Sequence, residues 1–436
     1  MQVSIETTSG LERRLTVGVP SVQVESEVAK RLKDASKNVR INGFRQGKVP
    51  MKVIKQRYGA GVRQEVIGEV MSRSFYEAVQ KEDVKPAGQP SIEAKEVSEG
   101  KDLEYVATFE VYPSIELADL SKIEVTKHNA NVSDTDVGNM IEVLRKQQAT
   151  WSEVDRAAAT GDKATIDFVG TKDGEEFAGS KAEAHELLLG SGSMIPGFED
   201  GVVGLKAGEE KVLSLTFPDD YKADELKGAA VEFAVKLIKV LESELPELND
   251  ELYVKFGVEE GGEAKFREEV KGNMDRELAN AAKAKIKKQV MDSLVAANPV
   301  DLPSPLVANE IQTLRNQMMQ QFGGATDKID GKALLPDDMF KEEADRRVAL
   351  GLLVGEVINT AKLKADGDKV RAMVEEVAST YESPEEVVEY YYSNEKMLQG
   401  VEAAVLEDQV VEHVMAAAKV TEQDSSYDDL IKPQNA

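Results

Sequence analysis

The chain has 436 residues, 41% of them hydrophobic and 31% charged, enough apolar material for folded cores and a length that suits about three domains. Eighty acidic against 54 basic side chains give a formal net charge of -26, which opposes wholesale nucleic-acid binding unless a local basic patch exists. There is no cysteine, and the three histidines (His128, His185, His413) lie far apart. Disulfides, thiolate metal sites and cysteine nucleophiles are thereby excluded, and little is left for a zinc site or a histidine triad.

The opening residues, MQVSIETTSGLERRLTVGVP, have no basic start followed by an apolar run, so no secretory leader is expected. The greasiest stretch, Val348 to Ile358, is interrupted by Gly351, Gly355 and Glu356, well short of the ~20 apolar residues of a membrane span. A cytoplasmic protein that avoids membranes is expected. Charge is uneven along the chain. Residues 1–112 carry 18 Lys/Arg and 16 Asp/Glu, and residues 30–63 hold eleven basic side chains against one acid, Asp34. Such a patch inside an acidic chain suits an anionic partner such as RNA. A solvated basic helix face is the plainer reading.

In the middle of the patch lies Asn42-Gly43-Phe44-Arg45-Gln46-Gly47-Lys48-Val49-Pro50, flanked by helical patterns at Val28 to Val39 and from Val53 onward. Two glycines and a proline predict a loop there. It would present Phe44 beside Arg45 and Lys48, an aromatic that costs solvation unless a partner covers it or it folds back onto its own helices. GFRxGKxP between two helices closely resembles the ribosome-docking signature of the bacterial trigger factor family. The resemblance implies an α/β ribosome-binding domain over residues 1–112. It would dock through Gly43, Phe44, Arg45, Gly47, Lys48 and Pro50 onto protein and rRNA beside the exit tunnel of the large subunit. Gln46 stands where many members have a further lysine.

Residues 113–149 show no clear core of their own and read as a connecting arm. Asn131 to Asp136 reads as a turn with a helix N-cap, with helical spacing over Val137 to Gln148. Residues 150–245 form a β-rich unit: a strand at Ala164 to Val169, a hairpin turn at Lys172 to Glu175, and strands at Lys211 to Phe217 and Val231 to Leu241. Between them, a glycine-rich run from Gly190 to Gly201 leads into one short helix. It has no P-loop lysine and matches no dinucleotide fingerprint. From IDFVG through GEEF and MIPGFEDG to TFPDDY, the segment resembles the FK506-binding-type peptidyl-prolyl isomerases. That resemblance implies a pocket lined by Phe168, Phe177, Met194, Ile195, Phe198, Phe217, Tyr221 and Phe233. Phe198 would be its floor, and the Ile195 N–H and Tyr221 hydroxyl would bond substrate carbonyls. Ala178 replaces an acid that many members carry, and His185 stands at a position often aromatic.

From Leu245 on, helical periodicity takes over. Phe266, Val270, Met274, Leu278, Ala282, Ile286, Val290 and Leu294 recur at every fourth residue, a spacing that drifts about 40° per step, so the stripe winds around its helix and needs more than one partner. Further helices are predicted from Leu306 to Phe322, Met339 to Lys364, Lys369 to Ala378 and Pro384 to about Ala418. Residues 246–420 thus read as an all-α region of long arms, which the resemblance makes a cradle for polypeptide chains. Residues 421–436 read as a disordered acidic tail.

The expected whole is an α+β multidomain protein: a ribosome-binding domain, an FK506-binding-type β-sheet-plus-helix isomerase domain, and an all-α C-terminal domain with long arms. The expected function is a ribosome-associated chaperone that binds nascent and unfolded polypeptides and isomerises X–Pro bonds, with no cofactor or metal. A second copy of the chain is an expected partner off the ribosome, since the family often dimerises there. A free cytosolic prolyl isomerase with oligomerising flanks is the alternative, but it leaves the basic loop unexplained. A nucleic-acid module calls for stacking aromatics, and only Phe44 and Tyr58 lie nearby.

Overall fold

The computed structural model describes the chain except residues 41, 43, 45–47, 222, 224, 322–334, 380, 382 and 433–436, and gives the backbone alone at Ala178. The chain divides into two compact units, Met1–Lys127 with Lys283–Gln423, and His128–Ala282 with Asp424–Ala436.

In the first unit, β1 (Gln2–Ser9), β2 (Glu12–Val19), β3 (Ser91–Glu96) and β4 (Leu103–Glu110) make an antiparallel sheet in the order β1-β2-β4-β3. Alternation dictates its inner face, with Leu15, Val17 and Val19 on β2 and Leu103, Tyr105, Ala107 and Phe109 on β4 buried. Helices α1 (Ser21–Asn38) and α2 (Met51–Lys81) contribute Val24, Val28, Leu32, Ile54, Val66, Val70 and Phe75 to the same core. Each follows a proline N-cap, Pro20 or Pro50, with extended ψ and no side-chain capping bond. The fully buried Tyr105 keeps its hydroxyl satisfied, at 2.8 Å from Ser74 Oγ and donating to the Met71 carbonyl at 3.0 Å.

The rest of this unit is largely helical. It comprises the second half of α6 (Gly262–Ala297), then α7 (Ser304–Gln321), α8 (Lys341–Ala361), α9 (Gly367–Ala378), α10 (Pro384–Ser393) and α11 (Glu395–Ala417). The expected helix from Pro384 to Ala418 is in fact two. It breaks at Asn394, whose side chain accepts from the Met397 N–H, so a capping residue has started a new helix. Phe322, expected at the end of α7, lies outside the described residues.

The expected disordered tail is corrected over residues 421–432. Strand β11 (Lys419–Asp424) pairs with β5 (Glu124–Asn129), and α12 (Tyr427–Ile431) starts from a Ser426–Asp429 capping box and buries Tyr427. Polar composition misled there because a two-stranded ladder draws on backbone groups, whatever the side chains. The free side of β5 is met by Gln289, whose amide accepts from the Thr126 N–H at 3.0 Å and donates to the Thr126 carbonyl at 3.2 Å. One side chain thus does for that residue what a neighbouring strand would do.

The second unit holds β6 (Thr150–Val154), β7 (Lys163–Lys172), β8 (Glu175–Leu188), β9 (Glu210–Thr216) and β10 (Ala230–Glu244). Their order is β6-β10-β7-β8, with β9 also on β10. The hairpin between β7 and β8 turns at Asp173 (φ 55°) and Gly174 (φ 87°), the left-handed pair a two-residue turn requires. A second core in this unit joins Val132, Val137 and Ile141 of the connecting segment and α3 (Asp134–Gln147) to Tyr253, Phe266, Val270, Met274, Leu278 and Tyr427. The arm therefore has a core, shared with helices far along the chain. The four-residue stripe of α6 splits as its drift demands. Phe266 to Leu278 serve this core, whereas Ile286, Val290 and Leu294 serve one with Leu353, Val357, Val410 and Val414. Among the described residues no helix is long and apolar enough to cross a membrane.

Candidate functional sites

Two sites emerge, one in each unit. The aromatic pocket expected from sequence is built by a chain of edge-to-face aromatic rings. Phe198 lies 5.6 Å from Phe168 and 5.3 Å from Phe233, ring centre to ring centre. Phe177 stands 6.2 Å from Phe233 and 5.9 Å from Phe217, and Phe217 lies 4.5 Å from Tyr221. These are the spacings of favourable quadrupole contacts. Met194 and Ile195 are half-buried against the same cluster, so all eight expected residues come together. Phe198 is fully buried, as a floor would be, whereas Tyr221 keeps 36% of its surface exposed at the rim.

Local chemistry explains the arrangement. Gly197 has φ 86° and turns the chain so that α4 (Phe198–Val202) starts at once, a conformation in which glycine carries no Cβ penalty. Phe198 then points into the core from the first turn. Among the described residues the Ile195 N–H has no acceptor and the Tyr221 hydroxyl has no partner. Both donors are free for a substrate carbonyl. His185 stands with its ring edge-to-face against Phe168 at 5.9 Å, the contact an aromatic residue would make at that position.

Two residues with a role here were not singled out from sequence. Gly170 lies under the Phe233 ring, where an added Cβ would come within 2.5 Å of it; the glycine of IDFVG was the available signal. Glu199, only 8% exposed, receives a ring of backbone amides from the glycine-rich loop. Burial alone would raise its pKa, but the amides of Gly192, Met194 and Gly190 and the Ser191 hydroxyl outweigh that and hold it below the usual carboxylate range.

The second site is the loop between α1 and α2. Of the expected docking residues, Gly43, Arg45 and Gly47, like Gln46, lie outside the described residues, and Phe44, Lys48 and Pro50 lie within them. The base of the loop is pinned to the domain core by buried Val49 and Ile54 and half-buried Val39 and Val53. Phe44 is 42% exposed and Met51 44%, and Phe44 is not among the residues packed on the domain core. Ion pairs neutralise only part of the basic patch, and Lys33 and Arg57 have none among the described residues. Lys30, Arg31, Lys37, Lys55 and Arg63 have acidic partners. Arg40, Lys48 and Lys52, nearest the loop, are exposed and have none among the described residues.

Comparison with known proteins adds an independent line. The family model for bacterial trigger factor protein matches residues 1–144, its C-terminal counterpart matches residues 264–416, and that for FKBP-type peptidyl-prolyl cis-trans isomerase matches residues 154–238. The chain is 66% identical to the trigger factor of Cellvibrio japonicus over 432 residues, covering 99% of each. It is 59% identical to that of Saccharophagus degradans, covering 99% of this chain and 98% of the relative. A solved chain, from work on promiscuous substrate recognition in folding and assembly by the trigger factor chaperone, aligns with a TM-score of 0.52 over 95% of this chain and 99% of its own. At 17% identity that last likeness speaks for the fold alone.

Proposed function

The chain belongs to the trigger factor family, as a chaperone with an FKBP-type isomerase domain, and we propose that it docks on the large ribosomal subunit through the 42–50 loop. The observation that carries this proposal is an exposed Phe44 between unpaired Arg40, Lys48 and Lys52, on a loop whose base is fixed in the core. Exposed phenylalanine is costly unless a partner covers it, and unpaired cations suit rRNA phosphates. Cytoplasmic residence, contact with nascent chains at the exit-tunnel protein and rRNA, and self-association off the ribosome follow from the same reading. The domain limits we favour are 1–112, 113–149, 150–245 and 246–420.

The pocket of Phe168, Phe177, Met194, Ile195, Phe198, Phe217, Tyr221 and Phe233 is our assignment for prolyl isomerisation. Rotation about X–Pro breaks amide resonance over a barrier of about 20 kcal/mol. The twisted state has lost C–N conjugation, so a dry aromatic wall favours it over the planar amide. Held by the Ile195 N–H and the Tyr221 hydroxyl, the neighbouring carbonyls anchor the chain while the prolyl ring turns. No proton transfer or covalent intermediate enters such a path.

Binding of unfolded polypeptides, a family property, is supported on α10. That helix has no buried residue and exposes Tyr390 and Tyr392, with Tyr381 exposed just before it. The docking test is co-sedimentation with purified 70S ribosomes. Wild type should pellet at low salt and lose affinity steeply as salt rises, while Phe44→Ala/Arg45→Ala/Lys48→Ala should stay in the supernatant. Equal pelleting of both would move the dock elsewhere.

A further inference from the structure

Among the described residues, every polar contact of the Glu199 carboxylate runs to one short segment. One oxygen, Oε2, accepts from the N–H groups of Gly190 at 2.7 Å and Gly192 at 3.1 Å. The other, Oε1, accepts from the N–H groups of Ser193 at 2.9 Å and Met194 at 3.3 Å, and from the hydroxyls of Ser191 at 3.1 Å and Ser193 at 3.4 Å. Gly190 (φ 91°) and Gly192 (φ 70°) hold left-handed conformations, which turn successive amides inward into an anion-binding concavity. No lysine or arginine pairs with Glu199 among the described residues, so these donors alone compensate a charge held out of water.

The segment so gathered ends at Met194, and the next residue is Ile195. Glu199 itself directly follows Phe198, the pocket floor. One turn of chain therefore drives the floor into the core and, one residue later, clamps the loop that carries the free Ile195 amide. We propose that Glu199 is a positioning residue for isomerisation: its carboxylate fixes the Gly190–Met194 loop so that the Ile195 N–H and the Met194 side chain face the substrate. This rests on the assignment of the pocket. Glutamine cannot replace it, because its NH2 group would point a donor at donors and leave two amides unsatisfied. Aspartate keeps the charge but is one methylene short, so it restores part of the geometry.

The test uses the full chain and an Xaa-Pro peptide substrate, comparing Glu199→Gln, Glu199→Ala and Glu199→Asp with Phe177→Ala and with Asp200→Asn at the exposed neighbouring position. Thermal unfolding establishes the folded fraction at the assay temperature, and amide exchange of residues 188–197 reports the loop. Positioning predicts faster exchange and a fall in kcat/KM on the order of 10-fold for Gln and Ala, with partial rescue by Asp and none of the loss in Asp200→Asn. A role in stability alone predicts activity that tracks the folded fraction, with KM and the specific kcat unchanged. Faster loop exchange with wild-type kcat/KM overturns the proposal. Should Glu199→Ala not fold, Glu199→Asp decides, since lost activity in a folded, charge-retaining variant supports positioning and full activity rejects it. If Phe177→Ala also keeps full activity, the pocket assignment fails; if Phe177→Ala is impaired and the Glu199 variants are not, only the positioning role fails.

Discussion

The loop proposed for docking and the pocket assigned to isomerisation use aromatic residues in opposite ways. In the loop, Phe44 is 42% exposed and is not among the residues packed on the domain core. In the pocket, Phe198 is fully buried, and Phe168, Phe217 and Phe233 are each at most 8% exposed. The same rings that would meet the prolyl group also hold the small sheet together. Function is thus separable from stability in the loop and entangled with it in the pocket. The lesson is about substitution: a surface aromatic can be removed cleanly, whereas a pocket aromatic takes part of the core with it.

The harshest way to probe this contrast is Phe198→Ala. It should cost about 3–5 kcal/mol of stability in the isomerase unit and abolish isomerisation, measured by denaturant unfolding and a peptide assay. A variant that loses activity at unchanged stability would show that floor and core are separate after all. Gly170→Ala is gentler. The new Cβ collides with the Phe233 ring, so about 1–3 kcal/mol is expected together with lowered activity, because the pocket wall must shift.

Tyr427 offers a control in the same unit but in its other core. Its hydroxyl donates to Glu277 at 2.8 Å, and Tyr427→Phe should cost about 1 kcal/mol without touching isomerisation. Burial first, then the bond and charge of Glu277, push the Tyr427 pKa up to about 12. The unfolded chain therefore loses this proton first as pH rises. The stabilisation is whole below the ordinary tyrosine pKa of about 10 and is lost as pH climbs towards about 12. An unfolding series across that window should show the loss in wild type and a reduced slope in Tyr427→Phe. The smallest stability effect belongs to the loop: Phe44→Ala alone should leave the unfolding midpoint where it is while weakening ribosome co-sedimentation. A large drop in midpoint would mean that Phe44 serves the core and would erase the contrast.

Much of both sites was legible because their residues are neighbours in sequence. The turn at Gly197, the hairpin at Asp173-Gly174 and the helix cap within Asn131 to Asp136, which the structure puts at Ser133, are local chemistry, and local chemistry is written in adjacent side chains. The 42–50 loop is a nine-residue run and could be read without knowing what surrounds it. The aromatic list was accessible only through the resemblance to the FK506-binding-type isomerases, whose short motifs this segment carries in order. The role of Glu199 was harder to see. An acid next to MIPGF looks like any solvated charge until the loop curls over it.

The sequence by itself determined many of the element limits, which faces are apolar and where the charge collects, and its family motifs named the rings to test as a pocket. Tertiary structure alone decided the long-range partners. The tail from Thr421 is ordered because β11 finds β5, nearly 300 residues upstream. The α6 stripe serves two cores, and sequence periodicity could say only that one partner would not suffice. Gln289 completes the bonding of Thr126 across 163 residues. Such pairings follow from which surfaces meet when the chain is compact, and a list of neighbours along the chain carries no record of that meeting.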